Sequence, residues 1–253
     1  MVVNIRQANS KFQFLLNSWR TREALPKRKG REHVSQNSSQ NSLIMYLEKT
    51  MTEAKTKSLS FQEFLEQLPD DEGIYELVNG EIVRIQPTRG HDDVADFIWK
   101  RLDREKDRLN LNYVVKRTVP IRTETKTGQE QGRHPDVCVI DKTVWKSNIS
   151  ASAALTEPCS MVVEVASTNW KDDYIDKLDE YQRLGIPEYW IVDDLMMASE
   201  KYLGKPKVPT VFVYQLVDGQ YRVTKFQGNE RIVSRTFPEL ELSVNQIAAA
   251  RLE

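Results

Sequence analysis

Residues 161–193, MVVEVASTNWKDDYIDKLDEYQRLGIPEYWIVD, read as strand, polar turn, amphipathic helix, abrupt stop and second strand. Residues 161–165 are mostly branched and apolar, as in a strand buried on both faces. Ser167, Thr168 and Asn169 favour a turn or helix start. Tyr174, Leu178, Tyr181 and Leu184 then recur at steps of three to four, so they share one face of a helix beginning near Asp172. Gly185 suits a left-handed cap, and Pro187 bars the helix from resuming. Residues 189–192 form a second apolar strand. A strand–helix–strand unit of this kind places its strands parallel in one sheet.

Two placements in that unit point to chemistry. Glu164 interrupts an apolar strand, where a carboxylate is costly unless paired, hydrogen-bonded or on a metal. Asp173 and Lys177 stand four apart on the helix and project from the same side. At this level a second reading stays open, in which Glu164 is a strand-end acid and Asp173–Lys177 a surface ion pair.

The remaining elements follow in order. Ser60 with Glu63 forms a capping box before Phe61, Phe64, Leu65 and Leu68, a short helix ended by Pro69. The run GIYELVNGEIVRI carries Asn79-Gly80 between apolar stretches and predicts a β-hairpin, with Glu76 on its first strand. A helix is expected over 91–109, starting at His91, with Val94, Ile98 and Leu102 on its apolar stripe. Lys100, Arg104 and Arg108 repeat on another face beside Asp96, Asp103 and Asp107, which reads as a solvated ion-pair face. Strands are expected over 113–119 and 137–140, separated by a polar loop, RTETKTGQEQGRH. Pro135-Asp136 opens the second of them, where a proline's missing N–H costs no ladder bond. Residues 144–160 read as loop or short helix, TVFVYQLVDGQYRVTKF as a hairpin turning at Asp218-Gly219, and 244–252 as a closing amphipathic segment.

Composition excludes several classes. No apolar run approaches the roughly 20 residues needed to cross a bilayer. The short apolar run around Phe14 does not make a secretory signal, and Cys138 and Cys159 form neither a zinc-like spacing nor a disulfide framework. A cytoplasmic location without membrane attachment is expected. The net charge of −1 conceals an asymmetry: residues 1–50 hold nine Lys/Arg against three Asp/Glu, and the remaining residues hold 27 against 34. Residues 1–50 therefore read as a basic, polar N-terminal extension with possible helical pieces over 12–20 and 43–49, and residues 51–253 as the folded domain. An acidic body is not a broad nucleic-acid-binding surface.

The chemistry-bearing residues, in chain order, are Glu76, Pro135-Asp136, Glu164 and Lys177. Phosphodiester hydrolysis uses such a set: carboxylates hold divalent ions that polarise the phosphate, and an ammonium stabilises developing negative charge. Carboxylates without a His/Cys cluster favour Mg²⁺ or Mn²⁺ over zinc.

YELVNGEIV, the His91 helix start, HPDVCVID, VVEVASTNW with DDYIDKL, and GIPEYWIVD together resemble the Uma-two family, a large group of endonucleases in the PD-(D/E)XK, restriction-endonuclease-like superfamily. The resemblance spans residues 58–242. It implies an α/β (α+β) fold in which a mixed β-sheet is flanked by helices, with β-hairpins near both ends of the domain. It implies further that Asp136 is the aspartate of the PD motif, Glu164 the acid of (D/E)XK and Glu76 the upstream acid, all three holding metal. Ala166 stands where the superfamily places its lysine; the family draws that lysine from the following helix, which matches Lys177. Ser167 and Asp173 fall in family blocks and are expected to orient the site; His91, at the helix start, is a second-rank candidate whose commoner role is that of a surface or capping residue. The implied activity is Mg²⁺-dependent DNA hydrolysis, with a homodimer by analogy, since cutting two strands takes two sites. The alternative is a non-catalytic nucleic-acid-binding or interaction protein that keeps the fold.

Overall fold

The computed structural model describes residues 58–117, 119–147 and 153–252. The expected basic extension over 1–50, with its helical pieces, lies outside the described residues.

The expected strand–helix–strand unit forms the centre. Strands β7 (Met161–Val165) and β8 (Glu188–Asp193) run parallel, with Val163 opposite Trp190 and Val165 opposite Val192. In the sheet order β10-β9-β8-β7-β6-β3, every other pairing is antiparallel, so the sheet is mixed. Its remaining strands are β3 (Tyr113–Lys116), β6 (Val137–Asp141), β9 (Thr210–Val217) and β10 (Gln220–Gln227). The first of these is shorter than the 113–119 expected.

Both faces of the sheet are covered, which is why its central strands are almost continuously apolar. Side chains alternate across a strand. Met161, Val163 and Val165 therefore join Val137, Val139 and Trp190 beneath helix α2 (Arg89–Arg108), which contributes Val94, Ile98 and Leu102. Val162, Cys138, Ile140 and Ile191 face the other way, toward Tyr174 and Tyr181. Glu164 shares the parity of Val162, so the alternation aims it at this second layer.

Helix α2 starts at Thr88, whose hydroxyl accepts from His91 N, and its charged face is the expected ion-pair face. Asp96 pairs with Lys100 at 2.6 Å, whereas Asp103 and Asp107 take Lys106 and Glu105 takes Arg108. At the N-terminal end, α1 (Phe61–Glu66) has the predicted reciprocal Ser60–Glu63 cap. Strands β1 (Ile74–Val78) and β2 (Glu81–Ile85) turn at Asn79 and Gly80, both at positive φ, as a two-residue hairpin of this type requires.

The polar loop expected over 122–134 is a correction. It folds as a second hairpin, β4 (Ile121–Glu124) with β5 (Glu130–Arg133), and β5 also pairs with β1 to give a four-stranded antiparallel sheet in the order β2-β1-β5-β4. Its polar side chains are satisfied by distant partners: Gln131 accepts from Asn79 N, and Thr123 and Arg133 both bind Glu180. Gly132 lies under Phe61 and Phe64, where an added Cβ would come within 3.0 Å of the Phe64 ring. A strand of this kind has no apolar alternation to betray it.

The helix expected from Asp172 also differs. It opens with a π-helical turn (Asp172–Asp176) and becomes α-helical only in α4 (Lys177–Leu184), ending at the predicted left-handed Gly185. Residues 142–146 form the short helix α3 (Lys142–Lys146), and α5 (Glu200–Leu203) follows β8. The chain closes with α6 (Val244–Ala249) and a 3₁₀ turn (Ala250–Leu252). No helix among the described residues is long and apolar enough to cross a membrane.

Candidate active site

Five segments converge on one cleft of about 390 Å³, which Glu76, His91, His134, Asp136, Glu164 and Lys177 help to line. Glu76 comes from β1, His91 from the first turn of α2, Asp136 from the residue before β6, and Glu164 from β7. Asp173 and Lys177 come from the π-helical turn and the start of α4. Both residues line the cleft, and π turns such as the one that carries Asp173 occur often at functional sites.

Lys177 is the hub. Its Nζ lies 3.1 Å from Glu164 Oε2, 3.3 Å from Asp173 Oδ1 and 3.5 Å from Glu76 Oε1, with only 8% of the residue exposed. That burial excludes the surface-pair reading of Asp173–Lys177 and the strand-end reading of Glu164. Tyr181 OH donates to Glu164 Oε1 at 2.8 Å. Glu76 Oε1 accepts from His134 N at 3.1 Å, and its Oε2 lies 3.5 Å from Arg133 Nη1. Asp136 holds two partners: His91 Nε2 at 2.8 Å from Oδ1, and Val165 N, which donates to Oδ2 at 2.7 Å. Ser167 lines the same cleft, and its hydroxyl accepts from Asn169 N, closing the turn after β7.

Charge is unevenly compensated here. Burial works against the Lys177 ammonium, yet Glu164, Glu76 and Asp173 hold its pKa well above the usual lysine value. Burial raises Glu164 far above the ordinary carboxyl range against the pull of Lys177, with Asp136, Asp173 and Glu76 adding like-charge repulsion. For the same reasons Asp173 is pushed up to about 6. Burial also opposes ionisation of Glu76 and Asp136. It is outweighed by Lys177 and Arg133 at Glu76, and by the bonds from His91 and Val165 N at Asp136, so both lie below their usual values. Burial alone would lower His91, but Asp136 raises it; His134, without such a partner, is lowered by burial.

Three carboxyl groups, Glu76, Glu164 and Asp173, therefore surround the Lys177 ammonium, and Asp136 stands against His91 in the same cleft, a gathering of acids suited to a hard divalent cation. Asp136 and Glu164, on adjacent strands, supply the fitting oxygen donors. Among the described residues no three Asp, Glu, His or Cys side chains are gathered closely enough to hold an ion without rearrangement.

The family model for Uma2, described as a putative restriction endonuclease, matches residues 61–245, more than half of the chain. The chain belongs to the Uma2 family. Among solved structures, this Uma2 chain is similar to one described as a putative nuclease belonging to DUF820 from Anabaena variabilis. The two share 17% identity and a TM-score of 0.58 over 76% of this chain and 99% of the other, a likeness of fold. No curated protein sequence matches.

Several residues of the site carry no readable signal in the Uma2 chain's sequence. Arg133 and His134 sit in the stretch taken for a loop, and Tyr181 reads only as one more apolar position on a helix face. The spacing of Tyr181 from Lys177, four residues on one helix, is the available clue, since it aims both at the same neighbour. Tyr181→Phe leaves a buried carboxylate oxygen unpartnered. It is expected to cost about 1–3 kcal/mol of stability in urea denaturation and to reduce any Glu164-dependent activity by about 10–100-fold.

Proposed function

We propose that this protein is a Mg²⁺- or Mn²⁺-dependent DNA endonuclease that cuts phosphodiester bonds by attack of water. The observation that carries this reading is a buried lysine with Glu76, Glu164 and Asp173 within 3.5 Å and Asp136 lining the same cleft, a set of acids whose structural role apolar residues would serve as well.

Asp136 and Glu164 would hold the divalent ion, with Glu76 as a further acid beside them. When bound, such an ion polarises the phosphate and makes hydroxide available near neutral pH. The chain's own groups do the rest. His91 and Val165 N fix the Asp136 carboxylate from two sides, and Tyr181 fixes Glu164. Lys177 carries its charge at any working pH, so it can donate to the attacking water or to a phosphate oxygen as negative charge builds. Asp173 keeps the ammonium in the cleft. Cutting both strands of DNA takes two such sites, which supports a homodimer as the working form.

The test is cleavage of supercoiled and linear DNA by the purified full-length chain with Mg²⁺ or Mn²⁺, beside Asp136→Ala prepared identically. Cutting by the parent and loss of at least about 10²-fold in the variant is the expected result. Equal cutting by both marks a contaminant, and no cutting on any DNA leaves the non-catalytic reading, of which the acidic composition of residues 51–253 favours an interaction protein over a nucleic-acid binder.

A further inference from the structure

Eight large apolar side chains stand exposed among the described residues, and three of them, Val83, Ile85 and Leu195, line this one cleft. Val83 and Ile85 lie two apart on β2, so they point to the same side of a strand that is the edge of its sheet. Leu195 sits on the turn after β8. That turn is held by Asp193, whose carboxylate accepts from Met197 N at 2.6 Å and Ala198 N at 2.9 Å. The cleft thus has a charged floor and an apolar mouth. Apolar groups at that position serve neither a metal ion nor a phosphate, but they suit the flat face of a base.

The cations at the mouth are arranged unlike those of a duplex-tracking protein, which neutralises successive phosphates with free Lys and Arg. Arg117 is paired with Asp92 and Asp96, and Arg251 makes two bonds to Asp194. Arg84 is the more open, with Asp71 at 3.9 Å. Depth matters as well. Glu76, Glu164 and Asp173 are only 3–6% exposed, at the base of a cavity sized for one small ligand. A strand freed from its partner can lower a phosphodiester into such a cavity without carrying the rest of a duplex with it.

We infer that the cleft takes one DNA strand at a time, single-stranded or locally unpaired, with a base against Val83, Ile85 and Leu195 and its phosphate directed to the floor. The inference rests on the nuclease reading above and narrows its substrate.

The experiment uses the full-length chain and labelled oligonucleotides of one sequence, presented as single strand, intact duplex and duplex with a mismatched bubble. Cleavage is followed with Mn²⁺, and binding by fluorescence anisotropy without metal. Single strand and bubble are expected to be cut at least about tenfold faster than intact duplex, and single strand to be bound more tightly than duplex. The triple variant Val83→Ser, Ile85→Ser, Leu195→Ser is expected to lose that preference in both measurements. Val233→Ser, an exposed apolar side chain outside the cleft lining, is expected to keep it. Intact duplex cut or bound as well as single strand, or a triple variant that retains the preference, overturns the inference. Absence of cutting on every DNA overturns the nuclease reading, and the binding comparison still decides this one.

Discussion

Lys177→Met is expected to lose DNA cleavage by about 10²–10³-fold, the usual cost of removing one preorganised donor to developing charge. The same variant is expected to be less stable by about 3–5 kcal/mol near neutral pH, because removing one partner of a buried ion pair leaves the others uncompensated. Here those others are Glu164, Asp173 and Glu76, all within 3.5 Å of the lost ammonium. The deficit depends on pH in a definite sense. Asp173 in the folded parent titrates near 6, above its ordinary 3.8, so the folded chain binds that proton more tightly than the unfolded chain. Its contribution is fully present below about 3.8 and is lost as pH rises through about 6. Glu164 is shifted in the same direction. Without Lys177 both carboxyls move further up, so the variant should lose more stability relative to the parent at pH 8 than at pH 5, where the acids take up protons. Urea denaturation of both proteins at the two pH values reads this directly. A deficit equal at pH 5 and pH 8 would mean that Lys177 stabilises by packing alone.

Glu180→Ala is expected to be as damaging to the fold while touching none of the proposed metal-holding groups. Glu180 accepts from Arg133 Nε at 2.7 Å and Nη2 at 2.6 Å, a two-point pairing, and from Thr123 Oγ1 at 2.6 Å. Both partners belong to the β4–β5 hairpin and Glu180 belongs to α4, so this cluster ties the four-stranded sheet to the helix that carries Lys177. All three side chains are buried. Truncation leaves the buried Arg133 guanidinium with Glu76 alone, at 3.5 Å, at an expected cost of about 3–5 kcal/mol, or a fall in Tm of about 6–20 °C for a domain of this size. Replacing the pair together, Arg133→Met with Glu180→Leu, should recover part of that loss, since apolar groups of similar volume replace buried ion pairs at little or no cost, while Glu76 keeps Lys177 and His134 N as partners. Thermal unfolding of the three variants measures it; a double variant no better than Glu180→Ala would show that the pair does more than neutralise itself.

Much of this architecture was readable in residue order. The parallel β7–α4–β8 unit came from a change of hydrophobic period between residues 161–165 and 174–184, and the β1–β2 and β9–β10 hairpins from Asn79-Gly80 and Asp218-Gly219. These are local signals, set by which dihedrals a residue tolerates and which face it can bury within one element. Glu76, Asp136 and Glu164 stood out for a related reason: each is a charge in or beside an element whose pattern is otherwise apolar, whereas Lys177 stood out by its four-residue spacing from Asp173 and by the family resemblance. The β4–β5 hairpin escaped notice because its buried faces are polar. Gln131, Thr123 and Arg133 find their partners in Asn79, Glu180 and Glu76, about 50 residues away. No window along the chain contains those partners.

The residue types, the element types and the candidate acids were written in the order of the chain, because propensity, capping and periodicity act over a few residues. What the acids do together was decided in three dimensions. A surface pair and a buried hub have the same spacing, Asp173 to Lys177, and differ only in whether Glu76 and Glu164 arrive from other strands to surround the ammonium. The His91–Asp136 bond and the apolar mouth at Val83, Ile85 and Leu195 are of the same kind. Each depends on groups that are far apart in the chain and meet only when the sheet closes, and burial there sets which of them keep their charge.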